Sequence, residues 1–394
     1  MTPVYIVDAH VITALGSGVE SLFGGVAAGK KGFARVDRFD TSAYVSPYAG
    51  LISGLSFSIK PEETSGVLIL ARKLLKDRVP LYPAGSANSV DPINSVDLLG
   101  PEDSLDLGAL LITASTKGPV DLIRHGQGSP VASLAGQLAR ELGLNRPGFN
   151  INAACASSTI ALAKGADLIR RGREHTVLIV ALDVITEFVF SGFSAIGAMS
   201  ASPAMPFDRD RQGLTLGEGA AFLLLMGKER LEQTNRRALA EIRGWGIACD
   251  AAHLTAPDRT GSGLKKAVIQ ACKSGETSLD SIHAINAHGT GTRYNDAMEI
   301  EVFKALFNPR SLMANSIKGS IGHTLGAAGA IEAVLCTKIL EKKVLPGTPG
   351  LSHPAEGAGT IFSRDNREIT SDSILTTNSG FGGINAALIL GGVR

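Results

Sequence analysis

Gly148-Phe-Asn-Ile-Asn-Ala-Ala-Cys155-Ala-Ser-Ser-Thr159 is the stretch from which the architecture can be read. A short apolar strand runs through small residues into Thr159-Ile-Ala-Leu-Ala-Lys-Gly-Ala-Asp-Leu-Ile169, a periodic segment with no proline to stop it. The change of period puts Cys155 where a strand ends and a helix begins. A helix N-terminus leaves N–H groups unpaired and carries roughly half a positive charge, which favours a thiolate over a thiol. Cys155 is therefore a candidate nucleophile, although a free cysteine judged alone is as a rule a small buried hydrophobe.

Working outward, the same order of elements recurs. Val4-Tyr-Ile-Val-Asp-Ala9 opens a first part and Ala240-Glu-Ile-Arg-Gly-Trp-Gly-Ile-Ala248 a second. Leu107-Gly-Ala-Leu-Leu-Ile-Thr-Ala-Ser-Thr-Lys-Gly118 is a strand with a small-residue loop, matched by Ile282-His-Ala-Ile-Asn-Ala-His288-Gly-Thr-Gly-Thr292. The Cys155 strand and helix correspond to Met313-Ala-Asn-Ser-Ile-Lys318-Gly-Ser-Ile-Gly-His323-Thr-Leu-Gly-Ala-Ala-Gly-Ala330. Each part closes on an apolar strand, Gly219-Ala-Ala-Phe-Leu-Leu-Leu225 and Asn385-Ala-Ala-Leu-Ile-Leu390. The expected class is α/β, built from two βαβ halves at 1–232 and 233–394. The seam lies in the charged run Gly227–Arg237, which reads equally as a linker or a solvated helix. In such sheets ligands bind beyond the carboxyl ends of the strands, so a duplicated fold predicts one pocket furnished by both halves.

The bulk composition narrows the function classes. Apolar residues make up 44% of the 394 and charged residues 19%, the balance of a well-buried globular chain. The 46 glycines gather where strands meet helices, as tight turns require. A net charge of +1 gives no reason to expect nucleic acid or an anionic membrane as partner. The four cysteines, Cys155, Cys249, Cys272 and Cys336, form no CxxC pair and no metal-ligand spacing, so reduced thiols in the cytoplasm are expected. The start reads as a strand rather than a signal peptide, and the apolar region Val177 to Phe190 is broken by Asp183 and Glu187.

The second half offers His288 at a strand end and His323 at a helix start. Two neutral imidazoles facing a sulfur suit a reaction that develops negative charge on oxygen, because each Nε2–H donates to a forming enolate. The sulfur would hold the other carbon fragment as a thioester. In Gly380-Phe-Gly-Gly383 the Phe381 amide is placed to join that of Cys155 as an oxyanion hole. Each element taken singly has a plainer explanation: a core histidine, a polar glycine loop, an exposed lysine. His10, His125, His175, His283 and His353 lack supporting context and are read as structural, and Cys249, Cys272 and Cys336 as packing residues.

Five segments change that balance by occurring together and in order. They are Ala154-Cys155-Ala156-Ser157, Pro206-Phe-Asp-Arg-Asp-Arg-Gln-Gly-Leu-Thr-Leu-Gly-Glu-Gly-Ala220, His288-Gly-Thr-Gly-Thr-Arg-Tyr-Asn-Asp296-Ala-Met-Glu299, Lys318-Gly-Ser-Ile-Gly-His323-Thr-Leu-Gly-Ala-Ala-Gly329 and Gly380-Phe-Gly-Gly383. From about residue 4 onward the chain resembles the elongating β-ketoacyl-acyl-carrier-protein synthases. The resemblance implies a thiolase-like fold with layers in the order αβαβα. It implies Cys155 as the acylated nucleophile and His288 and His323 as the pair assisting malonyl decarboxylation. Lys318 resembles the family's lysine, which supports the histidines and pairs with an acid matching Glu299; Asp296 belongs to the same supporting set. Phe381 resembles the gate whose amide completes the oxyanion hole. Thr290, Thr292 and Thr255 resemble contacts of the phosphopantetheine arm, and Phe193 and Gly382 substrate-lining residues. Acyl carrier protein and a second subunit, in a homodimer or with a related chain, are the implied partners. No metal and no cofactor beyond the carrier's arm is implied, and no membrane or nucleic-acid partner.

The chain also departs from the family. Ser379 stands where a second phenylalanine is usual, and Ile384 replaces a usual threonine. Lys117 lies in a loop that is commonly uncharged; it either shortens the cavity, meets a polar acyl end or points to solvent. Similar loops occur in condensing enzymes of specialised pathways such as aryl-polyene synthesis. Arg72 and Lys73, in a run continued by Lys76 and Arg78, resemble residues that meet the acidic carrier, or form a solvated helix face. Met205 replaces an arginine that in some relatives contacts the carrier. A thiolase would need a second catalytic cysteine and a chalcone-type enzyme an asparagine at His323. The alternative from another class is a non-catalytic partner subunit that shapes the acyl tunnel, and an intact Cys155 argues against it.

Overall fold

The computed structural model describes residues 2–55, 65–76, 106, 108–121, 131, 133–309 and 311–393. Arg78 and His125 lie outside them. Ten principal strands are seen among the described residues: β1 (Val4–Thr13), β2 (Leu110–Ala114), β3 (Phe149–Ile151), β4 (Thr176–Asp183) and β5 (Gly219–Gly227), then β6 (Ala240–Cys249), β7 (Ala284–Asn286), β8 (Met313–Asn315), β9 (Ser373–Gly380) and β10 (Ile384–Gly391). They form a single sheet in the order β8-β7-β9-β10-β6-β1-β5-β4-β2-β3. The order is the same in each set of five. In the first, β2 pairs parallel with β3 and β4, and β5 lies antiparallel between β4 and β1. In the second, β7 pairs parallel with β8 and β9, and β10 lies antiparallel between β9 and β6. The two sets meet where β1 pairs with β6 at Tyr5–Glu241 and Ile6–Ala240. The repeated order of segments in the sequence is thus repeated as strand topology.

The helices are α1 (Val19–Ala27), α2 (Gly66–Leu75), α3 (Ser133–Glu141), α4 (Ser157–Arg170), α5 (Glu187–Ala195), α6 (Ser262–Ser274), α7 (Arg293–Leu306) and α8 (Ala328–Lys342). The apolar runs of the central strands are long because both faces of the sheet are covered. On β4, Val177, Ile179 and Ala181 face one core and Leu178, Val180 and Leu182 another; β5 alternates likewise with Leu223 and Leu225 against Phe222 and Leu224. The inner core holds Leu162 and Ile169 of α4 and Ile331, Val334 and Ile339 of α8, together with Ile374 of β9 and Leu388 of β10. α2 and α3 cover the outer face of the first set, and α6 and α7 that of the second. The sheet thus folds back on itself so that its two sets of strands lie on either side of α4 and α8, and the layers run helices, strands, helices, strands, helices, the expected αβαβα arrangement. Gly329 makes the middle layer possible: a Cβ there would overlap Thr159 Oγ1, so α8 approaches the first turn of α4 only without a side chain. That contact brings the two helix N-termini together, and the site is built between them. Among the described residues no helix is long and apolar enough to cross a membrane.

Candidate active site

The chain leaves β3 through Ala154, whose φ of 48° is left-handed, and turns at once into α4. Ser157 holds the turn, its Oγ accepting from Ala153 N at 2.9 Å and donating to Ala154 O. Cys155 is buried at this elbow, with the Phe381 N–H directed at its sulfur. His323 Nε2 lies 2.9 Å from Sγ. The His288 ring is edge-on to that of His323, with centroids 5.2 Å apart. The sulfur of the first half and both imidazoles of the second line one cavity of about 600 Å³, as do Thr255, Thr290, Thr292, Ser379 and Phe381. Thr290 and Thr292 are joined through their hydroxyls at 2.9 Å, and Thr255 sits across the mouth on an exposed loop. Phe193 stacks on Phe381 with centroids 5.6 Å apart. Gly382 does not line the cavity; its N–H donates to Leu254 O and tethers the gate loop to the loop carrying Thr255.

One expected pairing is corrected. Lys318 does not pair with Glu299. Its ammonium is buried against Glu332, on α8, and also donates to His288 O. Glu299 instead accepts from the backbone of His288 at 2.8 Å and of Gly289 at 2.7 Å, from Asn295 Nδ2, and from the Thr377 hydroxyl. Asp296 does the same for Thr290, Gly291 and Phe207. The two acids of α7 thus shape the loop that carries His288, while the lysine's counter-ion comes from another helix. Gly289 is left-handed (φ 40°), and a Cβ there would strike Phe207 and Ser316, so this tight turn requires glycine.

Glu332 was missed; the signal that could have found it is a lone acid in the largely apolar stretch Ala328–Leu340, and nothing in the sequence pointed to its partner. Asn378 carried no signal beyond its place beside Gly380. Its Nδ2 donates to Glu332 Oε2 at 2.8 Å and lies 3.3 Å from His288 Nδ1, and its Oδ1 accepts from Thr159 Oγ1.

A second expectation fails on energetics. The helix terminus does not make Cys155 a thiolate at rest: burial pushes the thiol up to about 12, against the opposing pull of Lys318. Both imidazoles are held well below 6.5, first by burial and then by the Lys318 charge, and so are neutral at pH 7. The resting site is therefore a thiol beside a neutral base, and charge forms only as the sulfur reacts. Burial, followed by the neighbouring Asp296, pushes Glu299 up to about 7 despite the N–H groups it accepts.

Arg72, Lys73 and Lys117 do not line the cavity. Arg72 forms a two-point ion pair with Glu141, which spends its charge locally, whereas Lys73 is exposed and donates to Ser53 O. Lys117 is exposed at the loop after β2. Ser379 Oγ donates to Asn385 Oδ1 across the β9–β10 hairpin at 2.7 Å, so the position facing the cavity is polar.

Comparison with known proteins gives a consistent picture. The family model described as beta-ketoacyl synthase, N-terminal domain, matches residues 109–230, and its C-terminal counterpart matches 239–352. The tetracenomycin polyketide synthase ketoacyl synthase alpha subunit of Streptomyces glaucescens is 31% identical, covering 95% of this chain and 93% of that protein. The 3-oxoacyl-[acyl-carrier-protein] synthase 2 of Vibrio cholerae is 28% identical over 98% of both. Among solved structures, the ishigamide ketosynthase/chain length factor superposes with a TM-score of 0.83 at 27% identity, covering all of both chains.

Proposed function

We propose, since this chain belongs to the β-ketoacyl synthase family and is a condensing enzyme of the ketosynthase type, that it extends an acyl group by decarboxylative Claisen condensation with a malonyl unit held on acyl carrier protein. The observation that carries this reading is the meeting of Cys155 Sγ, His323 Nε2 at 2.9 Å and the His288 ring in one cavity. In the first half-reaction Sγ attacks the acyl thioester of the carrier. Its proton passes to His323 Nε2 and on to the departing carrier thiolate. The oxyanion sits on the N–H groups of Cys155 and Phe381, a pair worth several kcal/mol, roughly 3–4 for each donor.

In the second half-reaction the malonyl carboxylate leaves as CO₂, and its electron pair forms an enolate whose oxygen accepts from the Nε2–H groups of His288 and His323. The enolate carbon attacks the Cys155 thioester. Sγ departs, one proton is taken up to restore the thiol, and a 3-oxoacyl carrier two carbons longer is released. Thr290, Thr292 and Thr255 line the path that the phosphopantetheine arm takes, and the carrier's arm is the only cofactor the scheme calls for. Of Arg72 and Lys73, Lys73 is the one placed to steer an acidic carrier, being exposed and bonded, among the described residues, only to the Ser53 carbonyl, whereas Arg72 is held by Glu141. Free thiols fit a reducing cytoplasm. The likeness to a ketosynthase/chain length factor structure favours a dimer with a related subunit over a homodimer, and the likeness to the tetracenomycin polyketide synthase subunit favours a polyketide-type acyl chain over a housekeeping fatty acid. Within such a pair this chain would be the catalytic member rather than the passive one, because Cys155 and both histidines are intact.

Incubation with an acyl-carrier thioester should add one acyl mass to Cys155. Cys155→Ala should abolish condensation while leaving malonyl decarboxylation measurable, and His323→Ala should slow decarboxylation by orders of magnitude. Full condensation by the Cys155→Ala protein would sink the assignment.

A further inference from the structure

The two imidazoles of the cavity are held in unlike ways. Asn378 sits on β9 between both halves of the site, and its amide orientation is settled by its partners. Nδ2 faces Glu332 Oε2 at 2.8 Å, and Glu332 is ion-paired to Lys318, so that oxygen accepts and the amide NH₂ must lie on this side. On the opposite side Oδ1 accepts from Thr159 Oγ1, in the first turn of the nucleophile's helix. The same NH₂ has a second hydrogen, and His288 Nδ1 lies 3.3 Å from it. Only a lone pair can meet an N–H donor, so Nδ1 carries no hydrogen. A neutral ring with a bare Nδ1 has its proton on Nε2.

His323 has no such constraint. Its Nε2 faces the sulfur of Cys155, and its Nδ1 is buried without a hydrogen-bond partner among the described residues. Nothing there selects one tautomer over the other.

We infer that Asn378 is a positioning residue that locks His288 as an Nε2–H donor, while His323 is left free to exchange tautomers. The division matches the work that the reaction proposed above, on which the roles rest, asks of each ring. His288 is needed only to donate to the enolate oxygen. His323 must first accept the Sγ proton at Nε2 and later donate from the same atom, and a ring fixed in either tautomer would fail one of those steps. The lock reaches His288 through Glu332 and Lys318, and Thr159 ties it to α4, so a single amide sets the ring's proton in register with the nucleophile.

Nitrogen-15 NMR of the full-length protein labelled at histidine tests the lock directly, with His288→Gln to assign the signal. At pH 7 the His288 resonances should show a proton on Nε2 and none on Nδ1; a protonated Nδ1 would overturn the inference. In Asn378→Ala the loss in malonyl-carrier decarboxylation should exceed the loss in Cys155 acylation by at least about tenfold, appearing in kcat rather than KM. Equal losses in the two steps, or none, would also overturn it. If Asn378→Ala does not fold, the wild-type spectrum still decides. A wild-type protein that neither acylates nor decarboxylates would defeat the proposed reaction, whereas an active one with hydrogen on His288 Nδ1 would defeat only the lock.

Discussion

α4 and α8 begin alike and receive opposite occupants. Each is preceded by a non-glycine residue in the left-handed region, Ala154 at φ 48° and Leu325 at φ 54°. In both cases that residue stands three positions before the helix starts, and the residue after it is Cys155 in one half and Gly326 in the other. The strand ends that face these termini also correspond: Gly380 closes β9 opposite the first residue of β10, and Asp183 closes β4 opposite the first residue of β5. Asp183 fills the rear terminus, accepting from Gly326 N at 2.7 Å, from Thr116 N, and from the hydroxyls of Ser115 and Thr116. Gly380 puts no side chain of its own over the front terminus, where Cys155 lines the cavity. Duplication supplied two electropositive helix ends, and the covering strand decided which one could do chemistry.

Substitutions that exchange the two arrangements should have the largest effects. Gly380→Asp would put a carboxylate where the front terminus is bare; a Cβ there already lies 3.1 Å from Cys155 N. Acylation of Cys155, followed by intact mass, should fall by at least about a hundredfold, the scale of losing an oxyanion donor. Undiminished acylation would mean that the open strand end is not what frees the thiol.

The rear half differs from the front in housing the site's buried ion pair. Lys318→Met would leave Glu332 buried without its cation, and thermal or denaturant unfolding should show a loss of about 3–5 kcal/mol.

Glu299 gives a pH test of the same half. Its carboxyl titrates at about 7 in the fold, above the ordinary 4.5, so the native state holds its proton more tightly than the unfolded chain does. The stability this contributes is complete below about pH 4.5 and is lost as pH rises towards 7. Glu299→Gln should abolish that decline, changing the wild-type-minus-variant difference by roughly 3 kcal/mol across the window at 1.36 kcal/mol per unit. A pH-independent difference would show that the N–H groups around Glu299, rather than burial, control it.

The smallest effect concerns the filled terminus. Burial dominates the raised Cys155 thiol, but the Asp183 charge adds to it. Asp183→Asn should therefore make iodoacetamide alkylation of Cys155 several-fold faster at pH 8, and a slower reaction would show that Asp183 acts on Cys155 through structure alone.

Much of this comparison is legible in the amino-acid sequence. The paired runs Leu107–Gly118 and Ile282–Thr292, and the matched closing strands, showed the duplication because a sheet covered on both faces demands continuous apolar segments. Cys155, His288 and His323 were candidates by their places at strand-to-helix junctions, and the five ordered segments resembling the β-ketoacyl synthases singled them out. The partner of Lys318 was missed for a physical reason. Glu299 is near His288 in sequence, but the lysine's reach is set by how α8 packs on α4, which depends on Gly329. The thiolate expectation failed similarly: a helix terminus can be recognised in a sequence, but the depth of burial that outweighs it cannot.

Residue order alone showed two repeated α/β halves and put the sulfur and both rings at strand ends, since periodicity and turn chemistry act locally along the chain; the layered architecture and the roles of the three groups came from the resemblance to the β-ketoacyl synthases. The tertiary structure alone decided which acid neutralises Lys318, which amide faces His288, and that one helix end is filled while its twin stays open. Those outcomes depend on distances of a few ångströms between segments far apart in sequence, where burial strengthens every charge and hydrogen bond and small displacements select the partner.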